Sequence, residues 1–214
     1  RGRTHGAPGP VRLMLRAGVL VSGRGTNLQA ILDACADERL DARVVHVASS
    51  RAGVPALERA AKAGVPHAAY DIAAYRSRAA AQRAIADALV DAGAELVVLA
   101  GYNFILGNDF FIRLRNVPVI NTHAALLPLF GGPGMYGMRV HAAVLASGAS
   151  ESGATVHRVH PDTVDLGEVI VQRRVPVLAG DDPQTLAARV LDVEHEAIVE
   201  AVRRFTVTAA ARTS

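Results

Sequence analysis

One cysteine, no tryptophan, a single lysine and few aromatics are what these 214 residues have least of, and each scarcity closes off a class of explanation. The lone Cys35 cannot close an intrachain disulfide, and with no other thiol in the chain it reads as a small buried helix residue rather than a ligand or nucleophile. No run of 18 consecutive apolar residues is present, and the opening "RGRTHGAPGPVRLML" lacks the apolar core and cleavage site of a secretory signal. The expectation is a cytoplasmic protein with no membrane partner. Aromatics make up 4% of the chain and the arginines are scattered, so the basic-aromatic interleaving of a nucleic-acid surface is missing and no nucleic-acid partner is expected. All basic residues but Lys62 are arginine, a compositional bias. The net charge of +3 suits a small polyanionic substrate by long-range attraction.

At 50% hydrophobic the chain has enough apolar surface for a substantial core, and one domain is the expectation. Residues 1–13 are rich in Gly, Pro and Arg without periodicity and read as a disordered extension ahead of a single domain over 14–208. From there strands and helices alternate: strand 15–21, helix 27–40, strand 42–49, helix 55–64, a short strand near 66–71, helix 78–93 with Ala81, Ile85, Leu89 and Ala92 on its buried face, and an apolar strand over 94–101. This is the pattern of an α/β protein with a doubly wound, mostly parallel sheet, Rossmann-like in its N-terminal half. After a strand at 117–121 the pattern changes to a Gly-rich loop, a helix over 140–148 and two strands, 153–159 and 168–177, that suggest an antiparallel pair. A last helix comes after them, with Asp182 as N-cap, Pro183 at its first position, and Leu186, Val190, Val193, Ala197 and Ala201 as its apolar stripe.

Two stretches carry chemistry. In "GVLVSGRGTNLQAIL" a strand turns through Gly-x-Gly into a helix, which aims the backbone N–H groups of Gly25, Thr26 and Asn27 at one point and suits a phosphate. In "VPVINTHAALLP" Asn121 and His123 stand two apart and so share one side of extended backbone. Asn offers an amide donor and His a proton carrier, a pair able to polarise a carbonyl and manage the charge of a tetrahedral intermediate. No G-x-S-x-G elbow or second thiol supplies a nucleophile, so acyl transfer here needs an external one, and an amine fits. The partner carboxylate is Asp165, in "TVDLGEVI", with Asp162 as its competitor, and His157 could line the same pocket. A metal held by His123, His157 and Asp165 matches no familiar zinc spacing, so no metal is expected.

Taken together, "VLVSGRGTNLQAI", "ELVVLAGY", "INTHAALLP", "GATVH", "VDLGEVIVQRRVPV" and "RVLDVEHEAI" resemble the glycinamide ribonucleotide formyltransferase family, in family order and over roughly residues 14–206. The resemblance implies transfer of the formyl group of 10-formyltetrahydrofolate, a co-substrate, to the glycinamide amine of 5-phosphoribosylglycinamide in purine biosynthesis, with no metal. It implies small-molecule partners and a monomer or homodimer. By the same resemblance Asn121, His123 and Asp165 form the catalytic trio. Gly25, Thr26 and Asn27 bind the substrate phosphate, and Glu194 the ribose side. Arg78, Asn103, Phe104, Ile105 and Leu106, with Asn121, bind folate.

The chain departs from the family pattern in four places. Ala124 stands where Pro is usual, Phe104 where Arg or Lys is common, Pro133 where the longer Gly-rich loop variant often has Lys, and the stretch from His157 to Asp165 is one residue longer. Other folate-dependent formyltransferases, a formyltetrahydrofolate hydrolase and a non-catalytic nucleotide-binding module are the alternatives.

Overall fold

The computed structural model describes residues 14–161 and 163–211, with no account of the side chains of 207–211. The expectations for residues 1–13 and for Asp162 lie outside the described residues. Among the described residues seven strands form one sheet in the order β3-β2-β1-β4-β5-β6-β7. They are β1 Leu15–Val21, β2 Ala42–Ser49, β3 His67–Ala69, β4 Leu96–Leu99, β5 Val119–His123, β6 Glu151–Arg158 and β7 Val169–Pro176. The first five run parallel, whereas β6 is antiparallel to both β5 and β7. The helices are α1 Thr26–Ala36, α2 Pro55–Lys62, α3 Arg78–Asp91, α4 Asn108–Leu114, α5 Met138–Ala146 and α6 Pro183–Ala211. Among the described residues no helix is long and apolar enough to cross a membrane.

Alternation along β1 explains the two-sided core. Val19 and Val21 pack with Leu28 and Ile31 of α1 and Ile198 of α6, while Leu20 between them packs with Ile85 and Leu89 of α3 and Phe110 of α4. A central parallel strand covered on both faces must be apolar throughout, which is why "GVLV" shows no polar alternation.

Several boundaries differ from the sequence reading. Helix α1 ends at Ala36 rather than at 40, because Glu38 takes a left-handed φ of 56°. Helix α2 stops at Lys62 before Gly64, whose φ is 67°. Ala92 is the C-cap of α3 rather than part of its buried face, which Ala81, Ile85 and Leu89 do form. Helix α4 was not anticipated: its seven residues are too few for an amphipathic repeat to show, although Phe110 and Leu114, four apart, are its buried pair. At the other end of the chain, the anticipated cap is present. Asp182 Oδ1 accepts from Thr185 N at 2.8 Å, and Thr185 Oγ1 accepts from Asp182 N at 2.9 Å.

The end of β5 has the largest bearing on chemistry. The strand continues through His123 instead of stopping at Asn121, since Thr122 and His123 pair with Val156 and Thr155 of β6. The chain order reverses between β1 and β4, and in open α/β sheets a crevice opens at such a point, outside the carboxyl ends of the strands.

Candidate active site

The crevice is a cleft of about 750 Å³, lined by residues 23–27 after β1, 99–106 after β4, 121–124 at the end of β5, the Gly-rich loop before α5, the loop carrying Asp165, and Glu194 on α6.

One part of its lining is the β1–α1 turn. Gly25 is the N-cap of α1 with φ 72°, and no side chain caps this helix end, so the first-turn N–H groups remain available to an anion. Glycine is required there twice over. The left-handed backbone favours it, and a Cβ would lie 2.6 Å from Ala56 Cβ and 2.8 Å from Ala56 Cα. Helix α2 braces the turn: Ala56 N donates to Gly23 O at 3.1 Å and Arg59 Nε to Arg24 O at 2.9 Å. Next to it, Glu194 Oε1 accepts from Asn27 Nδ2 at 2.8 Å and from Thr122 Oγ1 at 3.1 Å. Asn27 Oδ1 is buried without a partner, an acceptor suited to a ligand hydroxyl.

The end of β5 brings in the side chains singled out from the sequence. His123 is 6% exposed, and its Nε2 donates to Phe130 O at 2.8 Å while its Nδ1 lies 3.6 Å from Asp165 Oδ2. Both neighbours are acceptors, so a ring carrying protons on both nitrogens satisfies both of them. Asp165 also sits 3.4 Å from His157 Nε2 through Oδ1 and accepts from Gly132 N at 3.0 Å. Burial works against ionisation of this carboxyl. The charge of His123, the Gly132 N–H and the nearby His157 ring together outweigh it and hold Asp165 below the usual carboxylate range. Asn121 borders the cleft and faces His157 across the β5–β6 ladder.

The lining contributed after β4 is more apolar: Leu99, Tyr102, Phe104, Ile105 and Leu106 belong to it, with Tyr102 and Phe104 in edge contact at 5.9 Å between ring centroids. Burial raises the Tyr102 phenol to about 12, so it stays an uncharged donor, and its hydroxyl has no partner. The 103–107 loop is pinned from two sides. Asn103 N donates to Ser22 Oγ at 3.0 Å, and buried Gln82 donates from Nε2 to Ile105 O at 2.8 Å and accepts from Gly107 N at 2.9 Å.

The structure therefore brings together Gly25, Thr26, Asn27, Asn103, Phe104, Ile105, Leu106, Asn121, His123, His157, Asp165 and Glu194. Arg78 is apart from them: it is exposed at the start of α3 and does not line the cleft, though its charge acts on Tyr102. His123, His157 and Asp165 do converge, yet among the described residues no group of His, Cys, Asp and Glu is arranged to hold a metal ion.

Sequence reasoning missed Gln82, Thr122 and His141. Gln82 breaks an alanine-rich helix face, a signal that could have exposed it. Thr122 lies between Asn121 and His123 and was passed over because alternation points it to the opposite side of the strand. His141, 5% exposed, borders the cleft with Nδ1 buried and unpartnered, and burial, then the charge of His123, lowers its pKa. Its signal was one polar ring in the apolar run "VHAAVLA".

Comparison with known proteins agrees with this geometry. The family model described as formyl transferase matches residues 15–202. The chain is similar to the trifunctional purine biosynthetic protein adenosine-3 of Bos taurus, 39% identical over 88% of this chain and 18% of that protein. It is also similar to the chloroplastic phosphoribosylglycinamide formyltransferase of Arabidopsis thaliana, 37% identical over 86% of this chain and 63% of that one. It thus spans less than a fifth of the bovine relative and under two thirds of the plant one. Among solved structures, glycinamide ribonucleotide transformylase 1 from Symbiobacterium toebii superposes with a TM-score of 0.84 at 42% identity, covering 91% of this chain and 89% of that one.

Proposed function

The chain belongs to the formyl transferase family, and from that premise we propose that it transfers the formyl group of 10-formyltetrahydrofolate to the glycinamide amine of 5-phosphoribosylglycinamide, in purine biosynthesis. The observation that carries this reading is the convergence of Asn121, His123 and Asp165 in one cleft with a helix N-terminus fit for a phosphate and an apolar wall fit for a flat ring system.

In this reading the N–H groups of Gly25, Thr26 and Asn27 hold the substrate phosphate, and Glu194 Oε2 and Asn27 Oδ1 take the ribose hydroxyls. Leu99, Phe104, Ile105 and Leu106 cover the folate head, and the backbone of 103–106 is held for it by Ser22 and Gln82. Two substrates pinned on either side of the trio make the encounter of amine and formyl carbon a local event. As the amine nitrogen bonds to that carbon, charge builds on the formyl oxygen. Asn121 and doubly protonated His123 donate to it, and Asp165 balances the ring's charge. The amine then gives up a proton, the departing folate nitrogen gains one, and the carbonyl re-forms with no net change in the protein. Arg78 guides the anionic tail of folate from outside the cleft. The protein works in the cytoplasm as a monomer or homodimer, in one domain over 14–208, on small molecules alone.

The test is a formyl-transfer assay that follows the folate product, on the natural sequence and on Asp165→Asn beside Asp162→Asn. Turnover that needs both substrates and is lost in Asp165→Asn alone supports the reading. Turnover indifferent to the ribonucleotide identifies a hydrolase instead, and ligand binding without turnover leaves a binding module.

A further inference from the structure

His157 has no step in the formyl transfer, yet it is 2% exposed and touches two members of the trio. Its Nδ1 lies 2.8 Å from Arg158 O. A carbonyl oxygen only accepts, so Nδ1 carries a proton, and in the uncharged ring Nε2 is left as a lone pair. That lone pair lies 3.2 Å from Asn121 Nδ2, between residues directly opposed in the antiparallel β5–β6 pair. An Asn amide has a donor end and an acceptor end of nearly equal shape, and packing alone scarcely tells them apart. Turned over, Asn121 would set its oxygen against the Nε2 lone pair, acceptor to acceptor.

We propose that His157 is a positioning residue that fixes the amide orientation of Asn121, nitrogen toward the ring, so that one set of hydrogen-bonding atoms is presented to the reacting carbonyl in the cleft. The inference rests on the formyl-transfer reading and adds to it the source of Asn121's orientation. Asp165 Oδ1, at 3.4 Å from the same Nε2, is the rival for that nitrogen: a doubly protonated His157 would donate to Asp165 and release Asn121. The two arrangements predict different energetic couplings.

A double-mutant cycle on the full chain separates them. His157→Phe is expected to lower kcat by about 10- to 100-fold with both KM values little changed, since an oxyanion donor is misdirected rather than a binding group lost. His157→Gln can donate to Arg158 O and accept from Asn121, and it should recover a large part of that loss. In the Asn121→Ala background, His157→Phe should cost almost nothing further, because the two act as a unit. Losses that multiply in that background, or coupling to Asp165→Asn in place of Asn121→Ala, overturn the proposal. Should the Phe variant fail to fold, the same cycle with His157→Ala decides by the same criterion. A second readout does not depend on turnover. The side-chain amide protons of Asn121 should show one hydrogen-bonded NMR signal, displaced in the His157 variants. Natural-sequence protein that binds both ligands without turnover would overturn the formyl-transfer reading. An Asn121 signal unmoved by His157 substitution would overturn this one.

Discussion

Asp165 makes its contacts at a cost in backbone strain, with φ at 56° on a residue that is not glycine, and the charge of His123 and the Gly132 N–H favour its ionised carboxyl. Its native pKa is depressed, so its contribution to stability is complete above the unfolded value of about 4 and is lost as pH falls through the lower native value. The difference in unfolding free energy between the natural chain and Asp165→Asn should be flat at neutral pH and shrink only in strong acid, as denaturant titrations at stepped pH would show. A difference that shrinks near pH 6 would instead implicate a histidine. His123→Asn should lower kcat by about 10²- to 10⁴-fold while ligand affinities, measured by calorimetry, stay near those of the natural chain. Gly25→Ala should cost about 1–3 kcal/mol, from the left-handed backbone and the collision with Ala56, and should weaken binding of the phosphate ligand in the same titration. At this scale the sequence was informative where residue type implies chemistry: Asn121, His123 and the Gly25 turn stood out from spacing alone. It said little about Gln82 or Thr122, whose roles depend on partners 23 and 72 positions away.

Among the elements, the loop that carries Asp165 depends on a small residue. A Cβ on Gly167 would strike the carbonyl of Arg158 on β6, so the loop lies against the strand only because that side chain is absent. Gly167→Ala should therefore push Asp165 away from His123 and lower kcat more than it lowers the melting temperature, a split that paired kinetic and thermal measurements would detect. The cap of α6 offers a contrasting case, because Asp182 bonds within its own turn and does not itself line the cleft. Asp182→Ala should cost about 1 kcal/mol and leave kcat unchanged. Long elements with a clear period were readable in advance, as the stripe of α6 and the βαβ units show. Short α4 and the true end of β5 were not, because the first lacks length for a period and the second is set by pairing with β6.

Over the whole molecule, the cleft draws its lining from segments more than 160 residues apart, from the β1–α1 turn to α6. A ligand spanning them should stabilise the entire fold by about 2.7 kcal/mol at 100 times its Kd, visible as a rise in melting temperature with the ribonucleotide and absent for a sugar lacking phosphate. What the sequence determined by itself was the alternation of strands and helices, the Gly-x-Gly turn after β1 and the polar residues at the end of β5, because period, glycine placement and side-chain type are local properties. Only the tertiary structure decided that Asp165 stands between His123 and His157, that Glu194 answers Asn27 and Thr122, and that Arg78 stays outside the cleft. Those facts arise from how β5, β6 and α6 pack together, and distances across a sheet or between packed elements are not written in the spacing along the chain.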